Sequence, residues 1–133
     1  MRTQTQNYKQ ELGFAGERAA AAKYQADGYR IIALNYFNRR GKRVGEIDFI
    51  VAKENVIRFV EVKSRVAYST EFALNDVNST KRLKILLAIK YFLLMNQRYL
   101  EHEQHIDVAV VLFSKFDKST PQVTIYSDAI DEV

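Results

Sequence analysis

An α/β fold, with a mixed sheet of about five strands flanked by helices, follows from three observations on this chain of 133 residues. Apolar residues recur at three- and four-residue steps near its start. Short apolar runs bounded by polar turns follow, and a long apolar helix then separates three strand signals from two more. The element order is helix, three strands, helix, two strands (α-β-β-β-α-β-β). Three consecutive strands followed by a crossover helix imply a mixed sheet with helices packed on it.

Residues 1 to 7 read as a flexible polar tail. Tyr8 to Ala26 reads as a helix, because Tyr8, Leu12, Ala15, Ala19, Ala22 and Ala26 recur at helical spacing, and Gly28 is its stop. Tyr29 to Phe37 is strand-like through Ile31, Ile32 and Leu34, and Asn38-Arg39-Arg40-Gly41-Lys42-Arg43 is a basic turn. Val44 to Ala52 and Val56 to Ser64 are two strands, joined by Lys53-Glu54-Asn55, which is short enough for an antiparallel hairpin. Arg65 to Asn78 is a polar loop. Ser79 or Thr80 caps a helix running to about Leu100. His105 to Phe113 is a strongly apolar strand, Lys115 to Thr120 a turn, and Gln122 to Tyr126 a last short strand.

The composition is that of a soluble globular protein, 47% apolar and 27% charged, and the length suits one domain over residues 1–133 with a sizeable core. A net charge of +4 is compatible with a polyanionic partner. The absence of cysteine excludes disulfides, thiolate chemistry and a zinc ribbon. Met1 to Asn7 lacks an apolar signal core. The longest apolar stretch, Ile85 to Met95, is interrupted only by Lys90 and is too short to cross a bilayer. A cytoplasmic protein without a membrane partner is the expectation.

The chemistry concentrates in Gly45-Glu46-Ile47-Asp48-Phe49-Ile50-Val51 and in Val56-Ile57-Arg58-Phe59-Val60-Glu61-Val62-Lys63. Both read as buried strands, yet carboxylates stand where apolar side chains would be expected. Alternation puts Glu46 with Asp48 on one face, and Glu61 with Lys63 on one face. A hairpin centred near Asn55 sets Asp48 opposite Glu61. Singly, each residue fits a solvated strand end. Jointly, flanked by Ile47, Phe49, Ile50, Phe59, Val60 and Val62, they are buried charges that need partners or a metal. Adjacent carboxylates repel and raise one pKa, and a divalent cation relieves that repulsion. The hard-oxygen set Asp48, Glu61 and the Val62 backbone carbonyl suits Mg2+ or Mn2+, with Lys63 placed to position water or stabilise charge on a phosphate. This pattern implies a metal-dependent phosphodiester hydrolase.

Glu17 is a further candidate. It sits among Gly13, Gly16, Ala20 and Ala21, small residues that let the helix approach the sheet, so Glu17 either binds metal through water or orients Lys63. Basic residues fall in three groups: Arg39, Arg40, Lys42 and Arg43; Lys63 and Arg65; and Lys81, Arg82 and Lys84. The last two flank the site in sequence, where phosphate contacts would be expected. His102 and His105 have no third partner nearby and read as helix-end or loop residues. Asp107 reads as a structural hydrogen-bond acceptor. Tyr91, Phe92, Leu93 and Leu94 read as core or, in part, as a homodimer surface.

The segments Gly16-Glu17, Gly28-Tyr29, Gly45-Glu46-Ile47-Asp48, Phe59-Val60-Glu61-Val62-Lys63-Ser64-Arg65, Lys81-Arg82 and Ile106-Asp107-Val108 resemble the YraN-like family of small bacterial proteins of unassigned function. That family is similar to the PD-(D/E)XK nuclease superfamily and, in outline, to archaeal Holliday-junction resolvases. The likeness runs from about Gly13 to Ala129. It implies a restriction-endonuclease-like three-layer core, an active-site triad of Asp48, Glu61 and Lys63 with Glu17 as first-helix acid, and a Mg2+- or Mn2+-dependent nuclease acting on DNA in preference to RNA. Branched or recombination intermediates are among the implied substrates. The sequence departs from the pattern at Ile47, where the superfamily's name has proline, and at His105 and Ile106, where the family usually has arginine and an aromatic residue. A catalytically inactive nucleic-acid-binding module and a dimeric interaction protein are the alternatives.

Overall fold

The computed structural model describes residues 4–37, 45–66, 79–114 and 121–129. The elements are α1 (Gln4–Ala26), β1 (Arg30–Phe37), β2 (Glu46–Lys53), β3 (Val56–Val66), α2 (Ser79–Met95), β4 (Glu103–Phe113) and β5 (Gln122–Tyr126). The strands form one sheet in the order β1-β2-β3-β4-β5. β3 and β4 pair in parallel, and the other neighbours are antiparallel. A parallel pair needs a crossover between its strands, and α2 lies in that connection. The fold is therefore the expected mixed α/β architecture.

The two helices cover opposite faces of the sheet. Ala20, Ala21 and Tyr24 of α1 pack with Phe49, Val60 and Val111, while Ile85, Ala88 and Phe92 of α2 pack with Ile50, Phe59 and Val110. Strands between two helical layers are buried on both sides, which is why β2, β3 and β4 read as nearly continuous apolar runs. In such strands any charged residue stands out.

Several boundaries and faces differ from the sequence expectation. α1 begins at Gln4, so residues 4–7 are helical: a polar composition does not by itself exclude a helix. Its buried face runs through Gly16, Ala20 and Tyr24, whereas Ala22 and Ala26 are exposed. In an alanine-rich helix apolar spacing is ambiguous, and the one bulky residue, Tyr24, sets which side faces the sheet. α2 stops at Met95 instead of Leu100, where the Asn96 side chain donates to the Phe92 carbonyl at 2.9 Å, and a 3-10 turn (Gln97–Tyr99) follows. The β2–β3 turn is only Glu54-Asn55, with Glu54 at φ 53°. β3 extends to Val66, so Arg65 belongs to the strand. His105 lies inside β4, between Glu103 (2.9 Å) and Asp128 (3.0 Å), not at a helix end. Leu93 belongs to the core, while Leu94 is exposed.

Two glycines let the helices close on the strands that carry the acidic residues. A Cβ at Gly45 would overlap the backbone of Lys84 and Ala88, so the first turns of α2 rest directly on the start of β2. A Cβ at Gly16 would overlap the Ser64 side chain, which fixes the crossing of α1 over β3. A buried polar network adds a second tie between α1 and the sheet. Fully buried Asp107 accepts from the Tyr24 hydroxyl (2.7 Å) and pairs with Arg58 (3.1 Å), whose Nε donates to the Tyr29 hydroxyl (2.9 Å). Asp107 is thus the structural acceptor expected of it.

Gly45→Ala should destabilise the fold by about 1–3 kcal/mol, because backbone atoms of α2 must move to make room. Gly16→Ala should cost less, because rotation of the Ser64 side chain clears its hydroxyl, the nearest atom, and only a small shift is then needed at the Ser64 Cβ. Urea unfolding of the two variants checks the order, and equal or inverted costs would contradict this account of the α2 contact.

Candidate active site

The β2–β3 ladder pairs Lys53 with Val56 and continues regularly to Phe49 opposite Val60. One step further the register would set Asp48 opposite Glu61, as the sequence predicts, but the ladder ends there. The Asp48 carboxylate takes over: its Oδ2 accepts from the Val62 backbone N–H at 2.7 Å. The strand also turns at this point. Ile47 packs with the α2 side and Phe49 with the α1 side, although residues two apart in a regular strand share a face. The irregularity separates Ile47 from Phe49, while Glu46 and Asp48 both lie near Glu17 of α1. The strands fork, and the acidic side chains occupy the fork.

Four predicted residues meet there. Asp48 and Glu61 hydrogen-bond through their carboxyl groups. Glu17, on the turn of α1 seated by Gly16, is within hydrogen-bond reach of Asp48. Lys63 Nζ lies 3.6 Å from Glu61 Oε1, and both side chains are largely buried. Burial first, then the charge of Glu61, pushes Asp48 up to about 8 against the opposing hydrogen bond from Val62 N–H. Glu17 is raised too, by burial and then by Glu46 and Glu61, with the Asp48 hydrogen bond acting the other way. The electrostatics of the site thus favour either a proton or another cation among the carboxylates.

The donor chemistry fits a hard divalent cation. Asp48 holds Val62 through Oδ2, and Glu61 adds a second carboxylate. Among the described residues no three His, Cys, Asp or Glu side chains are placed to hold a metal ion between them. An ion here would therefore rest on two carboxylates and complete its shell with water and a backbone carbonyl, the habit of magnesium. Glu17 then acts through its hydrogen bond to Asp48.

The predicted phosphate contacts divide. Arg65 is exposed near the end of β3, with one guanidinium nitrogen on the Ser64 carbonyl (2.9 Å). Arg82 is half-buried on the first turn of α2, close in sequence to the Lys84 and Ala88 backbone that rests on Gly45. Arg39, Arg40, Lys42 and Arg43, and the side chain of Lys81, lie outside the described residues. Sequence reasoning missed Tyr24 and Arg58 as partners of Asp107. The available signal was an arginine inside the apolar run Val56-Ile57-Arg58-Phe59-Val60.

The structure is a three-layer α/β/α core whose forked central strands bear an aspartate, a glutamate and a lysine, an arrangement consistent with the restriction-endonuclease-like class. More narrowly, the chain belongs to the YraN-like family, described as Uncharacterised protein family UPF0102, whose profile matches residues 16–111. That span includes Glu17, Asp48, Glu61 and Lys63. A UPF0102 protein of Clostridium perfringens (strain SM101) is 34% identical over 122 residues, covering 92% of this chain and 95% of its own length. One from Ectopseudomonas mendocina is 34% identical over 101 residues (76% and 82%), and one from Chlorobium phaeobacteroides 40% over 82 residues (62% and 61%). Among the described residues no helix is long and apolar enough to cross a membrane.

The raised Asp48 has a defined consequence for stability. Its folded value, about 8, lies above the ordinary value of 3.8, so the folded metal-free protein holds a proton that the unfolded chain releases. This contribution is fully present below about pH 4 and is lost as pH rises to about 8. Asp48→Asn should flatten that decline and leave the metal-free protein more stable than wild type at pH 8. Thermal melts in chelator between pH 4 and 8 check this, and equal slopes for the two proteins would contradict it.

Proposed function

We propose that this protein is a Mg2+- or Mn2+-dependent nuclease that hydrolyses DNA phosphodiester bonds, with branched or recombination intermediates among its substrates. The observation behind this reading is the meeting of Asp48, Glu61 and Lys63 at the fork between β2 and β3. Asp48 is locked by the Val62 N–H, so its remaining oxygen is held without a further entropic cost at binding. Glu61 fixes the Lys63 ammonium at the same point. Lys63 is thereby placed to orient an attacking water or to take up negative charge on the phosphate. When bound, the divalent ion supplies charge neutralisation and acidifies water. Glu17 keeps Asp48 in position. Arg65 and Arg82, with Lys81, Arg40, Lys42 and Arg43, are assigned to phosphates, in keeping with the net charge of +4.

Purified protein with Mg2+ or Mn2+ should cleave linear or branched DNA and be silent in chelator. Asp48→Asn and Lys63→Ala should each lower the rate on the order of 10²–10³-fold, with unchanged circular dichroism. Cleavage that persists in both variants would contradict the assignment. Salt-sensitive DNA binding without cleavage in any metal would leave a binding module in its place.

A further inference from the structure

A cleft of about 430 Å³ opens between α1 and β1. This is within the size range of small-molecule sites, about 300–1,000 Å³. Its apolar wall includes Phe14, Ile31 and Leu34, and Arg18, Gln25 and Asn35 contribute polar groups. Phe14 and Leu34 are 47% and 61% exposed, so two large apolar side chains lie open to water at one place. Glu17 belongs to the same lining and also reaches Asp48. Glu17 thus joins the cleft to the fork, one turn of α1 from Phe14, while Asp48, Glu61 and Lys63 lie outside its lining.

The lining matches an unstacked nucleobase in three respects. The Phe14 ring offers a face on which any base can stack. The Gln25 and Asn35 amides carry both donors and acceptors, as base edges do. The Arg18 guanidinium matches a neighbouring phosphate. An apolar side chain from a protein partner would use only the Phe14–Leu34 wall. A base inside a continuous duplex cannot enter such a cleft. It must leave the stack, which costs least where it is already unpaired.

The geometry points to this cleft as the pocket for an unpaired nucleobase beside the phosphodiester to be cut, making DNA with an extrahelical or unpaired nucleotide the preferred substrate class over continuous duplex. The inference rests on the nuclease reading and narrows its substrate. Its test is independent of cleavage.

Binding is measured in metal-free buffer at fixed salt, using a continuous duplex and the same duplex with one extrahelical 2-aminopurine. Wild-type protein should bind the bulged probe about tenfold more tightly and change its fluorescence. Phe14→Ala, at an exposed position, should reduce the preference to near unity and abolish the fluorescence change, with unchanged circular dichroism. Leu34→Ser serves as a second, independent variant and should weaken the preference in the same direction. Equal affinity for the two probes, or a preference that survives Phe14→Ala, overturns the pocket assignment. Tighter binding of an all-RNA bulge than of the DNA bulge overturns DNA as the source of the base. Cleavage without preference removes the pocket and spares the nuclease reading. Preference without cleavage does the reverse.

Discussion

The site depends on a single backbone exchange: the β2–β3 ladder ends at Phe49 and Val60, and the Asp48 carboxylate bonds to the Val62 N–H in its place. A backbone donor in a buried strand must find an acceptor. Supplying it from a side chain lets the strands separate without leaving an orphan, and it anchors an acidic residue between two apolar layers. Glu61 and Lys63, which immediately flank Val62 in β3, are thereby brought to the opening. Had the ladder continued, Asp48 would have been one more strand residue, and no gap would exist for an ion or a phosphate.

The surrounding fold maintains this arrangement at a cost in electrostatic stability. Burial next to Glu61 raises Asp48, and burial with Glu46 and Glu61 nearby raises Glu17. The neighbouring strand β4 carries a carboxylate that is organised differently: Asp107, which pairs in register with Val60, the residue before Glu61. Asp107 is fully buried, where Asp48 is half-buried, and it is satisfied by Tyr24 and by Arg58. A buried carboxylate with a guanidinium and a phenol around it is a structural tie, and removing Arg58 would leave an uncompensated charge. Asp48 instead meets other carboxylates, with Lys63 as the ammonium held at Glu61. The contrast between the two aspartates separates the part of the molecule that holds the layers together from the part with chemistry to perform. His105, held by Glu103 and Asp128, belongs with the first. Its imidazole is raised by the Glu103 hydrogen bond, opposed by partial burial and helped by Asp128.

Much of this was legible in the sequence, for identifiable reasons. β2, β3 and β4 are covered on both faces, so their composition is apolar enough to expose Asp48, Glu61 and Lys63 as exceptions. The short polar connection read at Lys53-Glu54-Asn55 was enough to set Asp48 against Glu61, although the turn itself is Glu54-Asn55. The face of α1 was not legible, because the run Ala19-Ala20-Ala21-Ala22 puts alanine on every side of the helix and only packing of Tyr24 decides it. The end of the ladder at Phe49 was equally hidden, since it depends on a hydrogen bond between residues fourteen apart. The Tyr24–Asp107–Arg58 network joins residues up to 83 positions apart and leaves only the faint mark of an arginine in an apolar strand. The cleft between Phe14 and Leu34 has no sequence signature, because it is formed by the spacing of α1 and β1 and not by a motif.

The central claim is that the fork between β2 and β3 is built to hold a hard cation on Asp48 and Glu61. Anomalous diffraction from crystals soaked in manganese tests it most directly. The account predicts one strong peak with an oxygen of each carboxylate about 2.0–2.2 Å from the ion, and Asp48 still accepting from the Val62 N–H. A peak elsewhere on the molecule, or carboxylates that remain paired with each other at saturating manganese, would contradict it.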